Sequence, residues 1–195
     1  MKSYRQYCGV AKALDLVGQR WTLLLVRDLL PGPRRFSDLL VPGLTPNMLS
    51  TRLKELEHAG LVERVTLPPP AARKVWALTA EGRRLEPVVL ALGAFGAAYL
   101  DDPEDATVRL RWLMVSLQRR YRGGFVGTVA IHAADVPYTL RADGTRLVVR
   151  DGAPDHATLR IEGPPPAVAA LLGRGHRSDA VTIEGDVDAL LAALS

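Results

Sequence analysis

Thr45-Pro46-Asn47-Met48-Leu49-Ser50-Thr51-Arg52-Leu53-Lys54-Glu55-Leu56-Glu57-His58-Ala59-Gly60 is the stretch on which the fold turns. Thr45 suits an N-cap and Pro46 the first helical position, where its missing N–H costs nothing. Gly60 suits the C-terminal stop. Between them Leu49, Leu53 and Leu56 recur at helical spacing and share one face. Asn47, Thr51 and Lys54 point the opposite way, with Met48, Ser50, Arg52 and Glu55 on the flanks. This outward face is small and polar, with hydrogen-bonding groups near the N-terminal end. It suits a major groove, where such groups reach base edges. The same pattern also describes a solvent-facing amphipathic helix, so the neighbouring elements matter.

Upstream, Cys8 to Val17 carries Val10, Ala13, Leu14 and Val17 on one helical face. Trp21 to Leu30 predicts a second helix with Trp21, Leu24, Leu25 and Leu29 inward, broken by Pro31-Gly32-Pro33. Arg34 to Leu40 predicts a short third helix. Downstream, Leu61 to Leu67 and Lys74 to Leu78 are rich in β-formers and predict a hairpin with Pro68 to Ala72 at its tip. Three helices, a fourth with a polar outward face, and a basic hairpin make a winged helix-turn-helix pattern. The expected class is α+β: a winged helix-turn-helix DNA-binding domain over 1–100, followed by a small α/β domain over 101–195. The boundary is placed at the polar run Asp101-Asp102-Pro103-Glu104-Asp105.

The charge balance agrees with two parts. Residues 1–100 hold 14 Lys+Arg and 8 Asp+Glu, net +6, and residues 101–195 hold 11 and 13, net −2. A basic half suits a polyanion; the acidic half does not. The longest uncharged run, Pro87 to Leu100, has 14 residues, short of the roughly 20 that a membrane helix needs. The first residues lack an apolar signal region. A cytoplasmic protein without a membrane partner is therefore expected. Cys8 is the single cysteine, so an internal disulfide is excluded. No metal-ligand spacing and no cofactor motif appears. His132, His156 and His176 have carboxylates nearby in sequence, but no nucleophile accompanies them. An enzyme is not expected.

The first half resembles the HxlR-type regulators, bacterial winged-helix transcription factors related to the MarR group. The resemblance is carried by Cys8-Gly9-Val10-Ala11-Lys12-Ala13-Leu14, Gly18-Gln19-Arg20-Trp21-Thr22, Gly32-Pro33-Arg34-Arg35-Phe36-Ser37-Asp38-Leu39, Pro46 to Leu56, Gly60-Leu61-Val62-Glu63-Arg64 and Leu78-Thr79-Ala80-Glu81-Gly82. Gly9 departs from the proline that many members carry after the cysteine. The resemblance implies a homodimer, most simply a repressor, on an inverted-repeat operator in double-stranded DNA.

Position then selects the DNA-binding residues. Asn47, Ser50, Thr51 and Arg52 are expected to face bases or adjacent phosphates. Thr45 and Pro46 set a helix N-terminus whose amides and dipole suit a phosphate. Arg34 and Arg35 are expected on the DNA backbone from the start of the third helix, or simply solvated there. Arg73 and Lys74 approach from the wing, and Arg64 is expected in solvent. Leu85, Val89, Leu92 and Phe95 lie on one apolar face with Gly93 and Gly96 among them. They are the expected dimerisation surface, unless they pack on the second domain. Cys8 stands at a helix start near Arg5 and Lys12, which favours thiolate. Some family members sense oxidants at this place, so Cys8 is either a redox sensor or an inert thiol.

In the second half, Asp105 to Arg122 predicts an amphipathic helix. Strands are expected at 125–132, 138–141, 146–150, 158–161 and 180–184. A helix is expected from Pro166 to Leu172, stopped by Gly173, and another from Val187 to Leu194. Asp143-Gly144 suits a hairpin turn. The segment resembles the sterol-carrier-protein-like domain through Asp155-His156-Ala157-Thr158-Leu159, Val168-Ala169-Ala170-Leu171-Leu172-Gly173 and Val181-Thr182-Ile183-Glu184-Gly185-Asp186. That resemblance implies a twisted sheet flanked by helices around an apolar cavity, hence a hydrophobic small-molecule effector. A closed cavity would instead leave a packing or dimer-stabilising module. The rival to the whole reading is a hydrophobic-ligand carrier whose basic half docks to a protein.

Overall fold

A computed structural model describes residues 3–67, 74–100, 109–133 and 137–195. The chain forms two compact units, Met1–Val89 and Leu90–Ser195. The tip of the first hairpin, Arg73 and the run 101–105 lie outside the described residues.

The first unit opens with α1 (Gly9–Val17) and α2 (Thr22–Leu29). The expected inward face of α1 is largely open: Ala11 and Val17 are buried, whereas Val10 and Leu14 are exposed. In α2, Leu25, Val26 and Leu29 enter the core, while Leu24 is exposed and Trp21 half-buried. The predicted third helix shrinks to a 3-10 turn at Ser37–Leu39. Its first residue, Arg34, is drawn into the sheet instead. The Arg34 N–H donates to Trp76 O at 2.9 Å, and the Trp76 N–H donates back to Arg34 O at 2.7 Å.

Helix α3 (Pro46–His58) follows with the expected caps. Thr45 Oγ1 accepts from the Met48 N–H at 3.3 Å. Gly60 takes φ +70°, and the Leu61 N–H reaches back to Leu56 O at 2.9 Å, closing the helix. Leu49, Leu53 and Leu56 are buried beneath it. Strands β1 (Val62–Thr66) and β2 (Lys74–Leu78) pair antiparallel, with Arg64 opposite Trp76. Thr79 joins these elements: its hydroxyl donates to Gly60 O at 2.7 Å and accepts from the Gly82 N–H at 3.0 Å. A Cβ on Gly82 would fall 1.9 Å from Leu61 O, so only glycine lets α4 (Ala80–Arg83) pack this closely on the entry to β1.

Helix α5 (Glu86–Ala97) is apolar nearly all round, yet only Val89 is buried. Leu92 is 52% and Phe95 68% exposed.

The second unit stacks α6 (Leu110–Arg120), α7 (Pro165–Arg174) and α8 (Val187–Ala193) on one face of a five-stranded sheet. The sheet comprises β3 (Val126–His132), β4 (Tyr138–Asp143), β5 (Leu147–Asp151), β6 (Leu159–Glu162) and β7 (Thr182–Glu184), in the order β5-β4-β3-β6-β7. All pairs are antiparallel except β3 with β6. Register places Val129, Ile131, Leu140, Val149, Leu159 and Ile161 together under the helices. Alternation turns Thr139, Arg141, Val148, Arg150 and Arg160 to the helix-free face. Gly173 lies within α7; the stop is Gly175, at φ +70°.

Candidate nucleic-acid interface

Helix α3 is about 20 Å long at 1.5 Å per residue. Asn47, Thr51, Lys54 and His58 form an exposed ridge along it, opposite the three buried leucines. The Thr51 hydroxyl donates to Asn47 O at 2.9 Å, which restrains its rotamer and leaves its oxygen free to accept. Thr45 and Pro46 are exposed at the N-terminal end.

A groove lies on each side of the ridge. One, of about 290 Å³, runs between α3 and the wing and is lined by Phe36, Ser50, Lys54, Arg64, Lys74 and Trp76. The other, of about 370 Å³, joins Asn47, Met48, Thr51 and Arg52 to Gln19, Arg20 and Trp21. Thus Ser50 and Arg52, both half-buried, stand on opposite flanks. Arg52 is ion-paired with Glu55. Trp21 sits at φ +77°, uncommon for a bulky residue. Its buried indole N–H has no partner among the described residues, and the Arg20 guanidinium lies 5.0 Å from its ring centroid.

Arg34 and Arg35 part company. Arg34 is 6% exposed, and its Nη1 donates to Pro33 O at 2.9 Å. Its main chain bridges to Trp76 and its side chain is buried, so it is not the solvent-facing DNA-backbone contact expected of it. Arg35 is exposed, and its guanidinium has no partner among the described residues. Lys74 is exposed at the start of β2. Arg64 is not simply solvated: it covers Trp76 and pairs with Glu57. Lys54, Arg20 and Trp21 are additional to the expected contacts, although periodicity puts Lys54 on the outward face of α3. The proximity of Arg20 and Trp21 to α3 is tertiary, so spacing alone does not reveal it.

Cys8 is exposed at the N-cap of α1. The backbone N–H groups of Ala11 and then Val10 lower its thiol pKa by favouring thiolate. Backbone amides, rather than the neighbouring cations, supply the shift. Among the described residues no His, Cys, Asp or Glu group suits a metal, and no helix is long and apolar enough to cross a membrane.

Residues 16–104 match the family described as HxlR-like helix-turn-helix. An HTH-type transcriptional regulator of Synechocystis sp., sll1512, is 34% identical over 96 residues, covering 48% of this chain and 71% of the relative. The chain belongs to the HxlR-like helix-turn-helix family. It is accordingly a helix-turn-helix transcriptional regulator. Another family relative, YvaP of Bacillus subtilis, is 37% identical over 92 residues, 46% of this chain and 85% of YvaP. Among solved structures, the redox regulator HypR in its oxidized form is 33% identical, with a TM-score of 0.44, over 49% of this chain and 100% of HypR. The family match ends at residue 104, before α6 and the sheet of the second unit.

Proposed function

We propose that this HxlR-like regulator is a homodimeric repressor that lays α3 of each protomer into successive major grooves of an inverted-repeat operator. One observation carries the reading: the exposed ridge Asn47, Thr51, Lys54, backed by three buried leucines and flanked by two grooves. Asn47 and Thr51 read base edges, and Ser50 and Arg52 contact the groove walls. Lys54, Arg35 and Lys74 neutralise phosphates, joined by Arg73 from the wing. Thr45 and Pro46 present the helix N-terminus to a further phosphate. The role requires access to chromosomal DNA in the cytoplasm.

The exposed apolar length of α5 supports the dimer. Leu92 and Phe95 face solvent in the single chain, as do Val88 and Tyr99. Apolar exposure on this scale marks an interaction surface. Val89 packs within its own chain and Leu85 is half-buried, so the surface centres further along the helix than expected. Two recognition helices in one dimer must stand about 34 Å apart.

For the second unit, the packed interior supports dimer stabilisation over an apolar effector. Met114, Leu117, Val129, Ile131, Leu140 and Leu190 are all 0% exposed. A cavity wide enough for an alkyl chain would leave accessible surface on the side chains lining it. Cys8, exposed and with its thiol pKa lowered, is the position at which oxidation would act on this regulator.

Selection of bound duplexes from a random pool near physiological salt tests the reading. Enrichment of an inverted repeat, lost in Asn47→Ala and Thr51→Ala, is expected. A folded protein that enriches nothing, and instead extracts lipid, would favour the carrier reading.

A further inference from the structure

A groove of about 390 Å³ opens on the helix-free face of the second unit, at the β4–β5 edge of the sheet. Its floor is Thr139, Arg141 and Val148, which alternation turns to the same side. Arg150, directly across from Thr139, forms a wall. The opposite rim is the loop from Asp151 to Asp155. Two hydrogen bonds hold this loop over the sheet. The Thr139 hydroxyl donates to Gly152 O at 2.7 Å, and the Gly152 N–H donates to Pro137 O at 2.7 Å. Gly152 makes the turn at φ +96°.

The charges in this groove are the informative feature. Arg141 and Asp155 both line it, and both are exposed. Neither has a hydrogen-bond or ion-pair partner among the described residues, and they do not pair with each other. Other groove-lining arginines among the described residues are already committed, as Arg52 is to Glu55 and Arg64 to Glu57. Arg150 and Asp151 also line the groove but have interactions of their own, which leaves Arg141 and Asp155 as an unpaired cation and anion, complemented by a ligand that carries both opposite charges. A guanidinium takes a carboxylate through paired N–H donors. A carboxylate takes an ammonium. The volume lies within the range of small-molecule sites.

We infer that this groove binds a small zwitterion of the amino-acid class, its carboxylate on Arg141 and its ammonium on Asp155. The Thr139 and Arg150 side chains flank it, and Val148 lies under its aliphatic part. The ligand class differs from the apolar effector implied by resemblance, and the groove is built wholly from residues of the second unit.

The test is titration of the ¹⁵N-labelled full chain with each common L-amino acid to 10 mM, followed by amide shifts. Acetate and ethylamine serve as single-charge controls, and the Arg141→Gln and Asp155→Asn proteins are titrated alongside. At least one amino acid should give saturable shifts confined to 139–141 and 148–155. Each variant should weaken it by about tenfold or more, the scale of one charge-assisted bond. Both variants change exposed side chains, and the dispersed spectrum reports that they are folded. The inference is overturned if no amino acid saturates, if acetate alone binds equally well, or if the variants bind unchanged.

Discussion

The guanidinium carbon of Arg64 lies 4.7 Å from the ring centroid of its cross-strand partner Trp76, while its Nε sits 3.2 Å from a carboxylate oxygen of Glu57 in α3. Wing and recognition helix are thereby tied through one side chain. Its charge is already balanced, whereas Lys54 and Lys74 in the same groove have no ion-pair partner among the described residues. Phosphate contacts release counterions in proportion to the charge neutralised. Lys54→Gln and Lys74→Gln should each flatten the log–log salt dependence of DNA affinity by about 1.8, roughly 0.9 for each protomer of the dimer. Arg64→Gln should leave the slope nearly unchanged. Fluorescence anisotropy across a salt series separates the three, and an equal drop for Arg64→Gln would disprove the division of roles.

The exposed face of α5 makes a second prediction. Phe95 and Tyr99 stack with centroids 5.3 Å apart on a surface that is otherwise apolar. Leu92→Glu with Phe95→Glu should yield a folded monomer by sedimentation and circular dichroism. Operator affinity should fall by roughly a hundredfold as the two half-sites cease to be bound together. Retention of the dimer would place the interface elsewhere.

Cys8 should alkylate with an apparent pKa below that of an ordinary thiol, since amides of the first turn stabilise its thiolate. Iodoacetamide rates measured against pH give that value directly. With one cysteine per chain, diamide can form only intersubunit or mixed disulfides, visible on non-reducing gels. If full modification of Cys8 leaves operator affinity intact, the thiol has no regulatory role.

Asp143 carries the clearest pH dependence. Its carboxylate accepts from the Thr145 hydroxyl at 2.7 Å, and from the backbone N–H groups of Arg146 and Thr145, each at 2.9 Å. These bonds hold its pKa at about 2, against about 3.9 in an unfolded chain. A depressed folded value means stability that is fully present above about pH 4 and is lost as pH falls towards 2. Asp143→Asn should remove that part of the acid dependence from urea midpoints between pH 5 and 2. An unchanged profile would show that the turn contributes nothing to it.

How far these features are legible in the sequence follows from their range. The recognition helix, its Thr45 cap, its Gly60 stop and its two faces depend on residues within a few turns of each other, so a period of 3.6 and cap chemistry are sufficient. The Asp143-Gly144 turn is local in the same way. The strands of the second unit likewise show in β-rich runs between turn residues. Arg34 is different. Its burial depends on hydrogen bonds to Trp76, distant in sequence, which pull it out of the predicted helix. Val89 and Leu92 share an apolar stripe, yet only packing separates the one turned inward from the one left open. The grooves beside α3 and the opposed charges of Arg141 and Asp155 arise where separate elements meet. Local periodicity and cap chemistry determined α3 with its two faces and most of the other helices and strands, but not the buried face of α1 or α5. Tertiary packing alone decided which of their polar groups are spent on one another and which remain open to a partner.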